Sequence, residues 1–421
     1  MASDGPRRSG DGGPGHGDRP ERARNARWRT AADVLARVRG EPGITRAELA
    51  RRLNLTTGSA TEITARLREL CLLGEVPAPA RGRGRPTTVL APHPSGPLVL
   101  AIDLRQEDWR CGLASLDGRV HDLREGRHAG REPGAVLGVL GEVVSDAWRR
   151  HGDRLRAVSL AVPATVQDGR IVQASALGWG PVDLGALAAG SGLPLLVGND
   201  ATLAGVAEAC TGAAAGAGTA LHLLVEVGVG GALIVGGRPV TGAGGTGGEY
   251  GHVPFGDRAL RCPCGARGCW DLEVDGRALA RHLGAPAPRD PRTYARRVLA
   301  RVAGGEAAGE SLGDVPGEEA ARAVGLVAES LAAGIAGLVN AHAPDVVTLG
   351  GLAVHLRAAA SARFGAAYED GLMSFRRDRP PPVLDAAHGD DGALHGAVAV
   401  GLDHVTSEAA LAAWAEGSPA P

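Results

Sequence analysis

The chain contains no lysine, so all 45 of its basic residues are arginine. With 65 glycines and abundant alanine, that composition reads as GC-rich coding and says little about function. No stretch approaches eighteen uninterrupted apolar residues, which gives no sign of a membrane span. The first residues lack the apolar segment of a leader peptide, so a cytoplasmic location is expected. The six cysteines, in a chain expected in the cytoplasm, are not read as a disulfide framework. Cys71, Cys111 and Cys210 sit among apolar neighbours and read as small core residues. Cys262, Cys264 and Cys269 fall within eight positions, and in a cytoplasmic chain such a cluster points to a metal.

The net charge is only −2, but it is unevenly spread. Residues 1–91 hold 17 of the 45 arginines and 10 of the 47 acids, leaving 28 and 37 for the remainder. A basic first segment on an acidic body suggests a polyanionic partner at the amino-terminal end.

Along the 421 residues, 1–27 have no apolar period and read as an unstructured tail. Residues 28–92 carry three short helical patterns. The first starts near Thr30 and ends at Gly40. The second opens with Thr45 and Glu48 at capping-box spacing, and Thr56 can cap the third, whose Ala60, Ile63, Leu67 and Leu70 recur at helical spacing. A hairpin from Val76 to Leu90 follows, containing Arg81-Gly82-Arg83-Gly84-Arg85-Pro86. Together these form a winged helix-turn-helix pattern. Its third helix would present Thr57, Ser59, Thr61, Glu62 and Arg66 to base edges in the major groove. Arg46, Arg51 and Arg52 could hold phosphates, and Arg83 and Arg85 could enter the minor groove.

Beyond a linker at 92–97, apolar strands alternate with helices to about residue 410, which argues for α/β layers. The last long apolar-periodic helices are expected over 318–341 and 392–405. Within this region His252, Cys262, Cys264 and Cys269 have the spacing H-x9-C-x-C-x4-C. One imidazole and three thiolates suit a tetrahedral structural zinc, one per chain, with every position filled by protein.

Several motifs resemble the ROK family of repressors, open reading frames and sugar kinases. They are Gly248-Glu249-Tyr250-Gly251-His252, Cys262-Pro263-Cys264-Gly265-Ala266-Arg267-Gly268-Cys269, the Asn199-Asp200 pair, Leu177-Gly178-Trp179 and Gly350-Gly351. The winged helix-turn-helix resembles the regulator branch of that family. The resemblance implies a two-lobed actin-like ATPase fold with a sugar cleft, in which Asn199, Asp200, Glu249 and His252 would contact hydroxyls. Asp271 stands where the family usually has glutamate, and Ala176 where it often has asparagine.

The phosphate loops depart from a kinase. Where the family's kinases read D-x-G-G-T, this chain has Asp103-Leu104-Arg105-Gln106-Glu107, and Glu107 is expected to repel a phosphoryl group. The second loop reads Glu226-Val227-Gly228 in place of Gly-Thr-Gly. The expectation is therefore a non-enzymatic, sugar-responsive transcription regulator, by family habit a repressor of carbohydrate genes. It would act as a homodimer or dimer of dimers on a near-palindromic operator. The alternatives are a ROK sugar kinase with an added DNA-binding domain and a regulator that no longer binds ligand.

Overall fold

The computed structural model describes residues 18–78, 88–128, 132–304 and 315–417. The chain divides into two compact units, one taking residues up to Pro94 together with Thr406 onward, the other Ser95–Val405.

In the first unit, α1 (Asp18–Gly40), α2 (Arg46–Arg52) and α3 (Thr57–Glu69) precede the antiparallel pair β1 (Leu73–Pro77) and β2 (Thr88–Pro92). The cap signals work as the spacing predicts. The Thr45 hydroxyl accepts the Glu48 N–H at 3.2 Å, and the Glu48 carboxylate accepts the Thr45 N–H at 2.9 Å. The Thr56 hydroxyl accepts the Ser59 N–H at 3.1 Å. Leu49, Ile63 and Leu67 bury the inner faces of the helix pair. A C-terminal helix, Glu408–Gly417, completes this unit with Leu411 buried.

Two boundaries differ from the sequence reading. Helix α1 begins at Asp18, inside the segment read as unstructured, because its first turns rest on helix-favouring Arg, Glu and Ala and not on an apolar period. The larger domain was expected to run to residue 410. Its unit ends at Val405, because the residues beyond bury Leu411 in the other unit.

The second unit holds two five-stranded sheets. The first comprises β3 (Leu98–Leu104), β4 (Asp108–Ala114), β5 (Val120–Arg127), β6 (Leu155–Val162) and, after a short hairpin β7 (Thr165–Gln167) and β8 (Arg170–Gln173), β9 (Leu195–Asn199). Its order is β5-β4-β3-β6-β9, with β3, β6 and β9 parallel. Helix α4 (Pro133–His151) packs its apolar stripe of Val136, Leu140 and Val144 into this sheet's core. Helix α5 (Asp200–Thr211) leaves β9 directly. The second sheet comprises β10 (Thr219–Glu226), β11 (Gly228–Val235), β12 (Arg238–Pro239), β13 (Val346–Gly351) and β14 (Val383–Asp385), in the order β12-β11-β10-β13-β14. Both sheets thus pair their first, fourth and fifth strands in parallel, the arrangement expected of two actin-like lobes. All seven residues of β3 are buried, as a strand covered on both faces requires.

Between β12 and β13 run α6 (Gly276–His282), α7 (Pro291–Val302) and α8 (Gly317–His342). After β13 come α9 (Leu352–Ala359), α10 (Ser361–Gly371) and α11 (Ser374–Arg377), and after β14 comes α12 (Gly392–Val405). Helix α8 is long and apolar enough to cross a membrane by length and composition, although charged and polar residues interrupt its apolar run. Yet 67% of its most apolar window is buried inside the protein, with Leu331, Ile335 and Val339 in the core.

Helix α12 crosses α5 at close quarters. A side-chain carbon on Gly396 would stand 1.9 Å from the Leu203 carbonyl oxygen, so only glycine fits. We predict that Gly396→Ala destabilises the protein by about 1–3 kcal/mol through forced separation of the two helices. Gly365 in α10 faces open space, so Gly365→Ala should be neutral or stabilising by about 0.5–1 kcal/mol. Thermal denaturation of the two variants beside the wild type checks the contrast.

Candidate functional site

The helix-turn-helix residues divide into those held internally and those turned outward. Thr57, Ser59, Thr61, Glu62 and Arg66 are all exposed on α3. The Ser59 hydroxyl lies 2.9 Å from that of Thr56, and Thr61 donates back to the Thr57 carbonyl at 2.8 Å. Both retain acceptor capacity. Arg66 pairs with Glu69 at 3.1 Å on the same helix. Arg46, expected on phosphate, instead pairs with Glu75 on β1, because the turn of the strand brings that carboxylate over the start of α2. Arg83 and Arg85 lie outside the described residues.

The second unit contains a cleft of about 190 Å³ that both lobes line. The structure brings all five residues expected at a sugar site, Asn199, Asp200, Glu249, His252 and Asp271, to its wall. Asn199 is the N-cap of α5: its side-chain oxygen accepts the Thr202 N–H at 3.0 Å, while its amide donates to the Ala164 carbonyl at 3.2 Å. Asp200 follows at the first helical position, its carboxylate accepting the Ala201 N–H at 2.8 Å. Desolvation pushes this carboxyl up to about 7, and the like charges of Asp103 and Glu226 push the same way.

Glu249 accepts a hydrogen bond from the Thr165 hydroxyl at 2.7 Å. Asp271 accepts the Val229 N–H at 2.6 Å. That contact requires Gly228 at φ +110, where a side-chain carbon would sit 2.8 Å from the carboxylate. Thr165, Gln173 and Ser175 also line the cleft. The sequence reading missed them because the β7–β8 hairpin carries no motif.

His252 joins this cleft to the cysteine cluster. Its Nδ1 lies 3.9 Å from the Cys262 sulfur and 3.9 Å from Asp271, while its Nε2 lies 3.8 Å from Glu249. The potential ligand atoms of His252, Cys262, Cys264 and Cys269 all lie within 4.8 Å of one another, so the cluster can hold a metal ion. The Cys264 and Cys269 sulfurs are 3.7 Å apart. A tetrahedral ion with thiolate arms of about 2.3 Å has edges of about 3.8 Å, which that spacing matches. Burial pushes the Cys269 thiol up to about 12, a cost that a bound cation removes by taking the thiolate. The next residue, Trp270, is buried and donates its indole N–H to the Ser330 carbonyl of α8 at 3.0 Å, pinning the loop to the lobe's core.

Side chains fill the ground of the two phosphate loops. Arg105 donates to Asp103 at 2.7 Å and to the Asp390 carbonyl at 2.5 Å, and is only 14% exposed. At the second loop Glu226 pairs with Arg292, the first turn of α7 facing the end of β10. Burial pushes the Glu226 carboxyl up to about 6 despite that partner. Glu107, expected to repel a phosphoryl group, does not line the cleft. It is half-exposed in the turn between β3 and β4 and pairs with Arg127 of β5 at 3.1 Å, while Arg105 lines the cleft.

Residues 99–404 match the model of the ROK family. The chain belongs to the ROK family. Among curated relatives of the ROK chain, glucokinase of Streptomyces coelicolor is 27% identical over 197 residues, 46% of this chain and 61% of that protein. The chain thus spans less than two thirds of that relative. The N-acetylmannosamine kinase of Shigella flexneri is 31% identical over 212 residues, 47% of this chain and 69% of the kinase. Among solved structures, a ROK family transcriptional regulator described as a homologue of the E. coli MLC protein superposes with TM-score 0.69 at 19% identity. It covers 93% of this chain and 99% of its own. A Streptomyces griseus ROK glucokinase with glucose and AMPPNP superposes with TM-score 0.58 at 23% identity, covering 72% and 99%. At these identities the two structures establish the fold, including the actin-like ATPase core.

The displaced Asp200 carboxyl yields a prediction. Its folded pKa stands above the unfolded value, so the folded state holds the extra proton. Ionising the group therefore costs stability, progressively from about pH 4 to about pH 7. Asp200→Asn should gain nothing over wild type near pH 4 and pull ahead through that window, levelling off above it. The gain accrues at up to about 1.4 kcal/mol per pH unit. Thermal denaturation across pH 4–8.5 tests it, and a constant difference at all pH values would contradict the assignment.

Proposed function

We propose that this ROK protein is a DNA-binding transcription regulator whose second unit senses a sugar without phosphorylating it. The observation that carries the reading is the double-capped α2–α3 pair, with a row of exposed polar side chains at the start of α3. Thr57, Ser59, Thr61, Glu62 and Arg66 would meet base edges there, while Arg46 gives up its Glu75 partner or serves only to brace the helix pair. Arg83 and Arg85 of the wing would add phosphate or minor-groove contacts. Binding as a homodimer, or a pair of dimers, to a near-palindromic operator follows from the need for two recognition helices about 34 Å apart.

In the cleft, Asp200, Glu249 and Asp271 would accept hydroxyl protons from a sugar, His252 would contact it through Nε2, and the remaining amide N–H of Asn199 would donate. His252 Nδ1 and the three cysteines would hold zinc, which braces the loop as a closed structural ion. Cys264→Ser should lower the metal content and melting temperature together, and protein purified without chelator should carry one zinc per chain.

A sugar kinase is the second reading, favoured by the kinase relatives and by Asp200, whose position and raised pKa suit a general base. Against it stand the Arg105–Asp103 and Arg292–Glu226 pairs, which occupy the ground where the family's kinases hold phosphate. Two assays separate the readings. Selection of duplexes from a random pool by wild-type protein should enrich a sequence with two half-sites, and Arg83→Ala with Arg85→Ala should flatten the salt dependence of binding by about one unit of slope per lost phosphate contact. ATP turnover with glucose and N-acetylmannosamine should stay at the no-sugar rate. Turnover accelerated by either sugar would establish the kinase reading instead.

A further inference from the structure

The last helix of the chain folds with the first unit and reaches α3. The Glu408 carboxylate takes the Arg29 guanidinium at 2.8 Å, Leu411 is buried, and the Trp414 indole N–H donates to the Leu70 carbonyl at 2.9 Å. Leu70 is the C-cap residue of α3. Carbonyls in the last turn of a helix have no partner within it, so an outside donor there fixes the helix end. The next residue, Cys71, turns the chain at φ +53, a left-handed conformation that disfavours any residue with a side-chain carbon. Helix α3 therefore ends in an unfavourable turn that no glycine relieves, and a tryptophan more than 340 positions away secures the carbonyl beside it.

We infer that Trp414 is a positioning residue for the recognition helix: by holding the C-terminal end of α3 it sets the angle at which Thr57, Ser59 and Thr61 address the bases. The inference rests on the DNA-binding reading above. It also gives the chain a covalent route between the two functions. The first turn of α12, Gly392 and Ala393, lines the cleft, and only Thr406 and Ser407 separate α12 from the helix that carries Trp414.

The test uses full-length Trp414→Phe, which keeps an aromatic ring at the position while removing the N–H donor and part of the ring's bulk, with Trp414→Ala as the stronger lesion. The probes are the duplex enriched by wild type from a random pool and a scrambled duplex of the same composition. A positioning role lowers the ratio of the two affinities, about tenfold for Trp414→Phe and more for Trp414→Ala. It leaves affinity for the scrambled duplex and its salt dependence unchanged, because phosphate contacts are not sequence-specific. Hydrogen exchange should quicken at the Cys71 and Leu72 amides, which close the end of α3 on the Arg68 and Leu67 carbonyls.

An unchanged affinity ratio in both variants would overturn the inference while leaving the DNA-binding reading intact. So would an equal fall for both duplexes, which marks Trp414 as needed only for folding. If wild type enriches no sequence at all, the DNA-binding reading fails first and the inference falls with it.

Discussion

The His252 imidazole belongs to two sites at once, and much of the second unit is arranged around that sharing. One ring nitrogen faces the cysteine cluster, while the other faces Glu249 at the cleft wall. A ring so placed can be held from behind by an ion while its front remains a hydrogen-bonding group. The loop that supplies the cysteines is anchored through Trp270 to the middle of α8, so the ring's orientation is tied to the lobe's core. Asp271, two residues past the last cysteine, then reaches across to the Val229 N–H at the start of β11. Loop, core helix and sheet edge are thereby fixed relative to one another through three consecutive residues.

The other end of the cleft is governed by charge. Asp103, Asp200 and Glu226 gather there, and burial raises the pKa of each. Arg105 and Arg292 answer two of the three. A carboxylate paired with a buried guanidinium is costly to separate, because each partner would be left charged and poorly solvated. A phosphate entering this ground would have to compete for arginines already engaged.

How much of this was legible in the sequence varies with the physics behind each element. Capped helices α2 and α3 were legible because their caps are local: Thr45, Glu48 and Thr56 act within four residues. The cysteine cluster and the long helices α8 and α12 were legible for the same reason. The assembly of Asn199, Asp200, Glu249, His252 and Asp271 into one wall was readable only through family motifs, since contacts across seventy residues leave no periodic trace. What failed depended on geometry that no local pattern encodes. Glu107 lies in the β3–β4 turn and pairs outward with Arg127, and Arg46 found Glu75 because a hairpin folded back over α2. The C-terminal helix was not foreseen, the larger domain being expected to run to residue 410, and it is part of the other unit. One of its contacts joins Trp414 to a backbone carbonyl, an acceptor every residue possesses.

If, as proposed, the chain does not turn over nucleotide, its kinase-like fold has a limited set of outputs. It can bind a ligand in the cleft, and it can favour one relative placement of its lobes over another. A ligand shifts such an equilibrium only by the difference in its affinity for the two placements. Residues that change position with lobe closure therefore matter more to a sensor than those that merely add affinity. On that reading Asp390 and Asp391, in the turn between β14 and α12, would be such residues. Asp391 pairs with Arg110 of β4 at 2.6 Å, while Asp390 gives its carbonyl to Arg105 and faces Arg296 of α7 at 3.6 Å. This turn thus receives ion pairs from both lobes and leads directly into α12. In a kinase, a bound nucleotide would bridge that space. On the sensor reading proposed above, a sugar would have to work against these ion pairs to change the placement of the lobes.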